Sequence, residues 1–229
     1  MTGLTPEARL EMVRRELFPA VVGDVMDAMG LRDQFLPARI RPARDDMVVL
    51  GRAMPVLEAD VFSEESGAGE NEVLDRPFGL MFRALDDLRP GEVYVCAGAS
   101  PRYALWGGLM STRARVLKAS GAVLDGYHRD TDEILRLGFP TFSSGPYAQD
   151  QGPRGRVIDY RVPVKIGDAS IRPGDLLFGN VDGVCVIPKE AEEEALESAL
   201  EKVRTEDLVA RAIEEGMSTE EAFGRYGVM

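Results

Sequence analysis

Two spacings of apolar residues alternate along the chain. Thr5-Pro6-Glu7-Ala8 reads as a cap followed by proline at the first helical position, predicting a helix to about Leu17. A second helix is predicted over 22–29, stopped by Gly30. Residues 47–57 are strand-like, and 64–71, rich in Gly, Glu and Ser, predict a loop. Residues 78–88 carry an amphipathic helical pattern, and Pro90-Gly91 turns the chain into a strand over 92–97. After Trp106 and two glycines comes a run of good helix formers over 109–119, in which Leu109, Thr112, Val116 and Ala119 share a face. Gly121 stops that helix, and Ala122-Val123-Leu124 is a short buried strand that delivers residues 125–130 at its carboxyl end.

Residues 157–188 alternate short β-like runs with turns at Gly167-Asp168, Pro173-Gly174 and Asp182-Gly183, predicting a β-rich layer against the first α/β unit. A long, densely charged helix follows over 190–215, then a short one capped by Ser218. Leu196, Leu200, Val203 and Leu208 are apolar positions of the long helix suited to docking on another subunit.

At 229 residues the chain can build one substantial core, and no linker interrupts it. Its formal charge of -12, with no basic tract to neutralise phosphates, argues against nucleic-acid binding. The start lacks the apolar core of a signal peptide and no apolar stretch reaches membrane-spanning length, so neither membrane nor export is expected and the default location is cytoplasmic. Cys96 and Cys185 sit in apolar strand-like runs as core residues, with no Cys-x-x-Cys motif. Lys118, Lys165, Lys189 and Lys202 all look solvated, against a Schiff-base aldolase. No Gly-x-Gly nucleotide loop after a strand supports a methyltransferase.

The chemistry concentrates between Gly107 and Glu133. Glycines opening a helix let a ligand approach the backbone, and the first amides of Gly107 to Met110 have no intrahelical partner, so they suit a carboxylate or phosphate. Arg129 beside Asp130 has two readings. One is a surface pair at the start of the next helix. The other gives Arg129 to a substrate oxygen and Asp130 to a divalent cation, and the position after a glycine turn and a strand raises it level with the first. His128, the one histidine, is read as a local structural contact rather than a substrate ligand. Tyr147, Gln149, Asp150 and Gln151 form either a substrate-side loop or a polar surface turn. Asp24 and Asp27 read as helix-surface carboxylates.

Twenty residues separate Gly108 from Arg129, followed at once by Asp130 and, two residues on, by Glu133. This spacing resembles the Gly-x20-Arg-Asp-x2-Asp/Glu signature of the RraA-like family. That family holds the class II 4-hydroxy-4-methyl-2-oxoglutarate/4-carboxy-4-hydroxy-2-oxoadipate aldolases and the RraA regulators of ribonuclease E. Leu137-Gly138-Phe139-Pro140-Thr141-Phe142, Pro173-Gly174-Asp175 and Asp182-Gly183-Val184-Cys185-Val186-Ile187-Pro188 are similar to the family too, so the resemblance spans about 23–229.

The resemblance implies an α/β fold, a layered α/β/β/α sandwich of the phosphohistidine-domain-like swivelling kind with terminal helices. It implies a single domain over 1–229 whose residues 190–229 pack on a neighbouring subunit of a homotrimer or homohexamer. It further implies a small 2-oxoacid substrate held by the amides at Gly107, Gly108, Leu109 and Met110 and by Arg129, with Mg²⁺ or Mn²⁺ on Asp130. A C-terminal glutamate from an adjacent subunit, best matched by Glu206, completes the metal surroundings. The implied reaction is metal-dependent cleavage of a 4-hydroxy-2-oxoacid to pyruvate, with oxaloacetate decarboxylation as a side activity. The alternative is a ribonuclease E binder without catalysis, which the C-terminal helices disfavour. One departure stands out: the position of Gly108 is often acidic in the aldolases, and glycine leaves the metal fewer protein oxygens.

Overall fold

A computed structural model describes residues 5–62 and 70–228, so most of the loop predicted over 64–71 lies outside the described residues. The chain divides into a terminal unit, Met1–Arg32 with Glu190–Met229, and a central unit, Asp33–Lys189. In the terminal unit α1 (Pro6–Glu16) is capped by Thr5, whose hydroxyl accepts from the Ala8 amide at 3.2 Å. The second helix, α2 (Pro19–Ala28), begins one turn before the predicted start at residue 22. Phe18 is extended and Pro19 takes the first helical turn, where its fixed φ fits and its missing N–H costs nothing.

The central unit runs β1 (Arg41–Pro42), β2 (Val49–Asp60), α3 (Met81–Asp86), β3 (Glu92–Ala97), β4 (Ala104–Trp106), α4 (Gly108–Val116), β5 (Gly121–Leu124), β6 (Tyr127–His128), α5 (Thr131–Leu137), β7 (Thr141–Ser143), β8 (Gly155–Tyr160), β9 (Val164–Ile166), β10 (Ala169–Ile171), β11 (Leu176–Asn180) and β12 (Gly183–Ile187). This is the mixed α/β class expected. The main sheet has the order β1-β7-β5-β3-β2-β11-β12, and β8 also pairs with β2. Parallel pairing joins β2, β3, β5 and β7, whereas β1, β8, β11 and β12 are antiparallel to their neighbours. The long β2 serves three partners because a register shift between Leu57 and Glu58 bends its second half onto β8.

Strands buried on both faces read as continuous apolar runs, and β3 illustrates why. Val93, Val95 and Ala97 point into one core with Val49, Val123, Leu177 and Val186, over which β9 and β10 are laid. Tyr94 and Cys96 point into a second core with Met54, Leu124, Trp106, Ala114 of α4 and Ile134 of α5. Both cysteines are free and buried, as predicted.

One helical expectation needs correction, and the structure orients a second helix. The helix predicted over 78–88 shrinks to α3, because Phe78 and Gly79 take left-handed φ of 61° and 62° and the Gly79 Cα lies against the Val157 carbonyl. On α4, Leu109, Thr112 and Val116 are exposed, and the helix turns Ser111 and Ala114 inward instead. Small residues there let α4 lie close to the sheet.

The chain returns to the terminal unit with α6 (Glu192–Glu214) and α7 (Thr219–Tyr226), the latter opened by a full capping box between Ser218 and Glu221. Leu196 and Leu200 are buried within the chain, so of the four positions assigned to subunit docking only Leu208 is strongly exposed. Asp24 of α2 pairs with Lys202 of α6 at 2.7 Å, in keeping with a helix-surface role.

Candidate active site

The small parallel pair β4–β6 sets Trp106 beside His128, and the Arg129 amide donates to the Trp106 carbonyl at 2.9 Å. Trp106 is almost wholly buried, stacks on Phe139 and donates its indole N–H to Ser111 Oγ at 2.6 Å. The end of β6 and the start of α4 are therefore held to one rigid aromatic anchor.

From that anchor the chain turns sharply at Asp130, which has φ 57° and ψ 42° as the residue before α5. Aspartate tolerates this left-handed region better than most residues, yet the conformation still costs free energy and marks a functional candidate. Its carboxylate does not cap its own helix. Instead Oδ2 accepts from the Gly108 amide at the start of α4, at 3.0 Å. Glycine at 107 is required by proximity, since a Cβ there would stand 2.8 Å from Asp130 Oδ2 and 3.4 Å from Arg129 Cγ. Gly108 is similarly hemmed in: a Cβ would fall 2.8 Å from Cγ of Glu133, whose carboxylate pairs with Arg136 at 3.0 Å. The glutamate of the motif thus fills the space that a side chain at 108 would take. With the Gly108 amide engaged, Leu109 and Met110 supply the first-turn donors that have no acceptor inside the helix.

A cavity of about 320 Å³ opens here, lined by Gly107, Leu109, Met110, Arg129 and Asp130 among the predicted site residues. Arg129 crosses it, with Nη1 2.7 Å from Asp150 and Nε 3.8 Å from Asp130. These groups are two-fifths to half exposed, so they are free to exchange partners with a ligand. Asp150 and Gln151 also line the cavity, which decides in favour of a cavity-side loop for those two. Tyr147 and Gln149 face a different, shallow depression with Arg102 and Arg154.

His128 behaves as the structural contact expected. It is buried, its Nδ1 lies 2.7 Å from Ser143 Oγ and its Nε2 3.1 Å from Thr131 Oγ1, and burial lowers its pKa. Both bonds brace the turn that carries Asp130.

Sequence reasoning missed Glu58 and the residues of α3. Glu58 is 1% exposed, and burial pushes its carboxyl up to about 8, despite a 2.7 Å hydrogen bond from Gln151 Nε2 to Oε1. Its Oε2 has no partner. A lone glutamate inside an apolar strand run was the available signal. Phe78, Met81, Phe82 and Leu85 form the cavity wall facing Arg129, and nothing in their helical spacing pointed there.

The lysines stay outside the chemistry. Lys118, Lys165 and Lys189 are exposed. Burial lowers the Lys202 pKa, but the pairs with Asp24 and Glu206 outweigh it and leave the pKa raised, opposite to what a Schiff base needs. Glu206 itself lies on α6 in the terminal unit, 3.5 Å from Lys202. Among the described residues no group of three or more His, Cys, Asp or Glu forms a metal cage. One half-exposed carboxylate at a cavity rim nevertheless suits Mg²⁺, which keeps several waters and binds through one or two carboxylates plus its substrate.

A family model described as RraA-like: Aldolase/RraA matches residues 20–186. A Halalkalibacterium halodurans protein, provisionally named a 4-hydroxy-4-methyl-2-oxoglutarate aldolase, is 30% identical over 88% of this chain and 87% of its own. A crystal structure described as that of novel cellulases from gut-associated microbes is 31% identical, with TM-score 0.77 over 90% of this chain and 88% of that one. Streptomyces coelicolor RraAS2, of the RNase ES inhibitor RraA family, shares the fold at 22% identity, with TM-score 0.74 over 90% of this chain and 96% of that one. Among the described residues no helix is long and apolar enough to cross a membrane.

Proposed function

The chain belongs to the RraA-like family, and from that premise we propose that it is a lyase that cleaves a 4-hydroxy-2-oxoacid to release pyruvate, dependent on a divalent cation. The observation that carries this reading is the convergence of Arg129, Asp130 and the opening turn of α4 on one cavity. The amides of Leu109 and Met110 bind the substrate carboxylate. Arg129 swings from Asp150 to the 2-oxo oxygen, where a guanidinium stabilises the negative charge that grows as the C3–C4 bond breaks. Asp130, fixed by the left-handed turn and the Gly108 amide, holds Mg²⁺ or Mn²⁺, with Glu206 of an adjacent subunit in a homotrimer or homohexamer as the second carboxylate. Bound there, the cation supplies Lewis acidity toward the 2-oxoacid. Decarboxylation of oxaloacetate yields the same pyruvate enolate and is expected as a side activity.

Glycoside hydrolysis fits the site poorly. A sugar ring needs hydrogen bonds to its hydroxyls, which the wall of Phe78, Met81, Phe82 and Leu85 does not supply. The deciding experiment measures pyruvate release from oxaloacetate and from 4-hydroxy-4-methyl-2-oxoglutarate with Mg²⁺ or Mn²⁺, then with EDTA. Turnover abolished by chelation and restored by metal is expected. Full turnover in EDTA would remove the metal from the mechanism, and tight ribonuclease E binding without turnover would favour the regulator.

A further inference from the structure

The cavity has two unlike walls. Arg129, Asp130, Asp150 and Gln151 make one. The other is hydrocarbon: Phe78 and Phe82 meet edge to face with ring centroids 5.4 Å apart, above Met81, Leu85 and Met110. Arg129 is the one cation among the described residues lining the cavity, and two carboxylates already lie against it. A ligand with a single carboxylate can be satisfied by the α4 amides and Arg129. A second carboxylate at its far end would lie against the phenyl rings with no cation among the described lining residues to meet it, which disfavours it.

The placement of the rings is itself a built feature. Phe78 holds φ 61°, a left-handed conformation that is an outlier for a bulky residue, and Gly79 follows it at 62°. The Leu80 amide donates to the Val157 carbonyl at 2.8 Å, tying this turn to β8. Backbone strain retained by surrounding bonds to present an aromatic ring at a cavity is characteristic of ligand clamps. Phe82, whose ring meets Phe78 at the cavity, keeps 55% of its surface exposed.

We propose that this site takes 2-oxoacids whose distal end is a hydrocarbon, aryl or branched alkyl, in place of a second carboxylate. The inference rests on the lyase reading above and specifies its substrate class. For 4-hydroxy-4-phenyl-2-oxobutanoate the C4 hydroxyl gives its proton to water and the C3–C4 electron pair passes into the pyruvate enolate. Benzaldehyde leaves, and the enolate takes a proton on C3 to give pyruvate. No oxidant, reductant or co-reactant is consumed.

The test compares kcat/KM with Mg²⁺ for three substrates: oxaloacetate, 4-hydroxy-4-methyl-2-oxoglutarate and 4-hydroxy-4-phenyl-2-oxobutanoate. The aryl substrate is expected to lead the dicarboxylate by about tenfold or more, and Phe82→Arg to reverse that ratio by about a hundredfold, in the range set by apolar pocket contacts and an added charge pair. A readout without turnover uses Trp106, the chain's one tryptophan, which lines the cavity. Its emission should report 4-methyl-2-oxopentanoate binding at least about tenfold more tightly than 2-oxoglutarate. Turnover of oxaloacetate and the dicarboxylate without an aryl preference, or tighter 2-oxoglutarate binding, overturns the substrate class and leaves the lyase reading intact. No pyruvate from any of the three overturns the lyase reading and this inference with it.

Discussion

The two faces of one sheet have been put to different uses. On the face under β9 and β10, aliphatic side chains close completely, and Phe142 is the single aromatic ring in that cluster. On the face under α3, α4 and α5, Tyr94, Tyr103, Trp106 and Phe139 do the packing, and a cavity remains between the helices and the loop that carries Asp150 and Gln151. The same strands feed both, residue by alternate residue. A closed aliphatic core therefore lies on one face and the cavity on the other.

The sharpest way to break that division is at Asp130. Asp130→Asn keeps a residue that accepts the left-handed turn and removes the charge, so metal-dependent pyruvate release should fall by about a thousandfold, the scale of a lost electrostatic stabiliser, with the melting temperature little changed. On the opposite face Leu177→Ala should do the reverse. Leu177 is fully buried between β2 and β12, and its truncation should cost about 2–5 kcal/mol in chemical denaturation while kcat per folded molecule holds. A drop in kcat there comparable with that of the Asp130 variant would refute the division of labour.

A smaller effect sharpens the comparison through Glu58. Its carboxyl titrates at about 8 in the folded protein against 4.5 ordinarily, so between those values the native state holds a proton that the unfolded chain releases. The stability linked to that proton is complete below pH 4.5 and is lost as the pH rises to about 8. Glu58→Gln removes this dependence, and its unfolding free energy should decline less than wild type across that window, by on the order of 5 kcal/mol. Parallel pH profiles for the two proteins would show that the buried carboxyl is not the titrating group.

What could be read in advance follows the range of the interactions. The strand 92–97 was predicted to the residue, since an apolar run behind Pro90-Gly91 is a local signal. Gly108, Arg129 and Asp130 were brought together by a motif whose spacing spans α4, β5 and β6. The apolar wall was not legible, because Phe78 leaves the helix its period implies through a backbone angle that no side-chain pattern records. Nor was the bond between Glu58 and Gln151, which joins residues 93 apart. Which face of α4 turns inward was not legible either: periodicity identifies a face, but its orientation depends on what lies beneath, and Trp106 selects Ser111.

The left-handed turn at residue 130 also limits what the gene can tolerate there. Two filters act on the same codon, one on backbone shape and one on charge. Glycine and asparagine pass only the first and glutamate only the second, so a saturation library screened for turnover should return a single amino acid at this position.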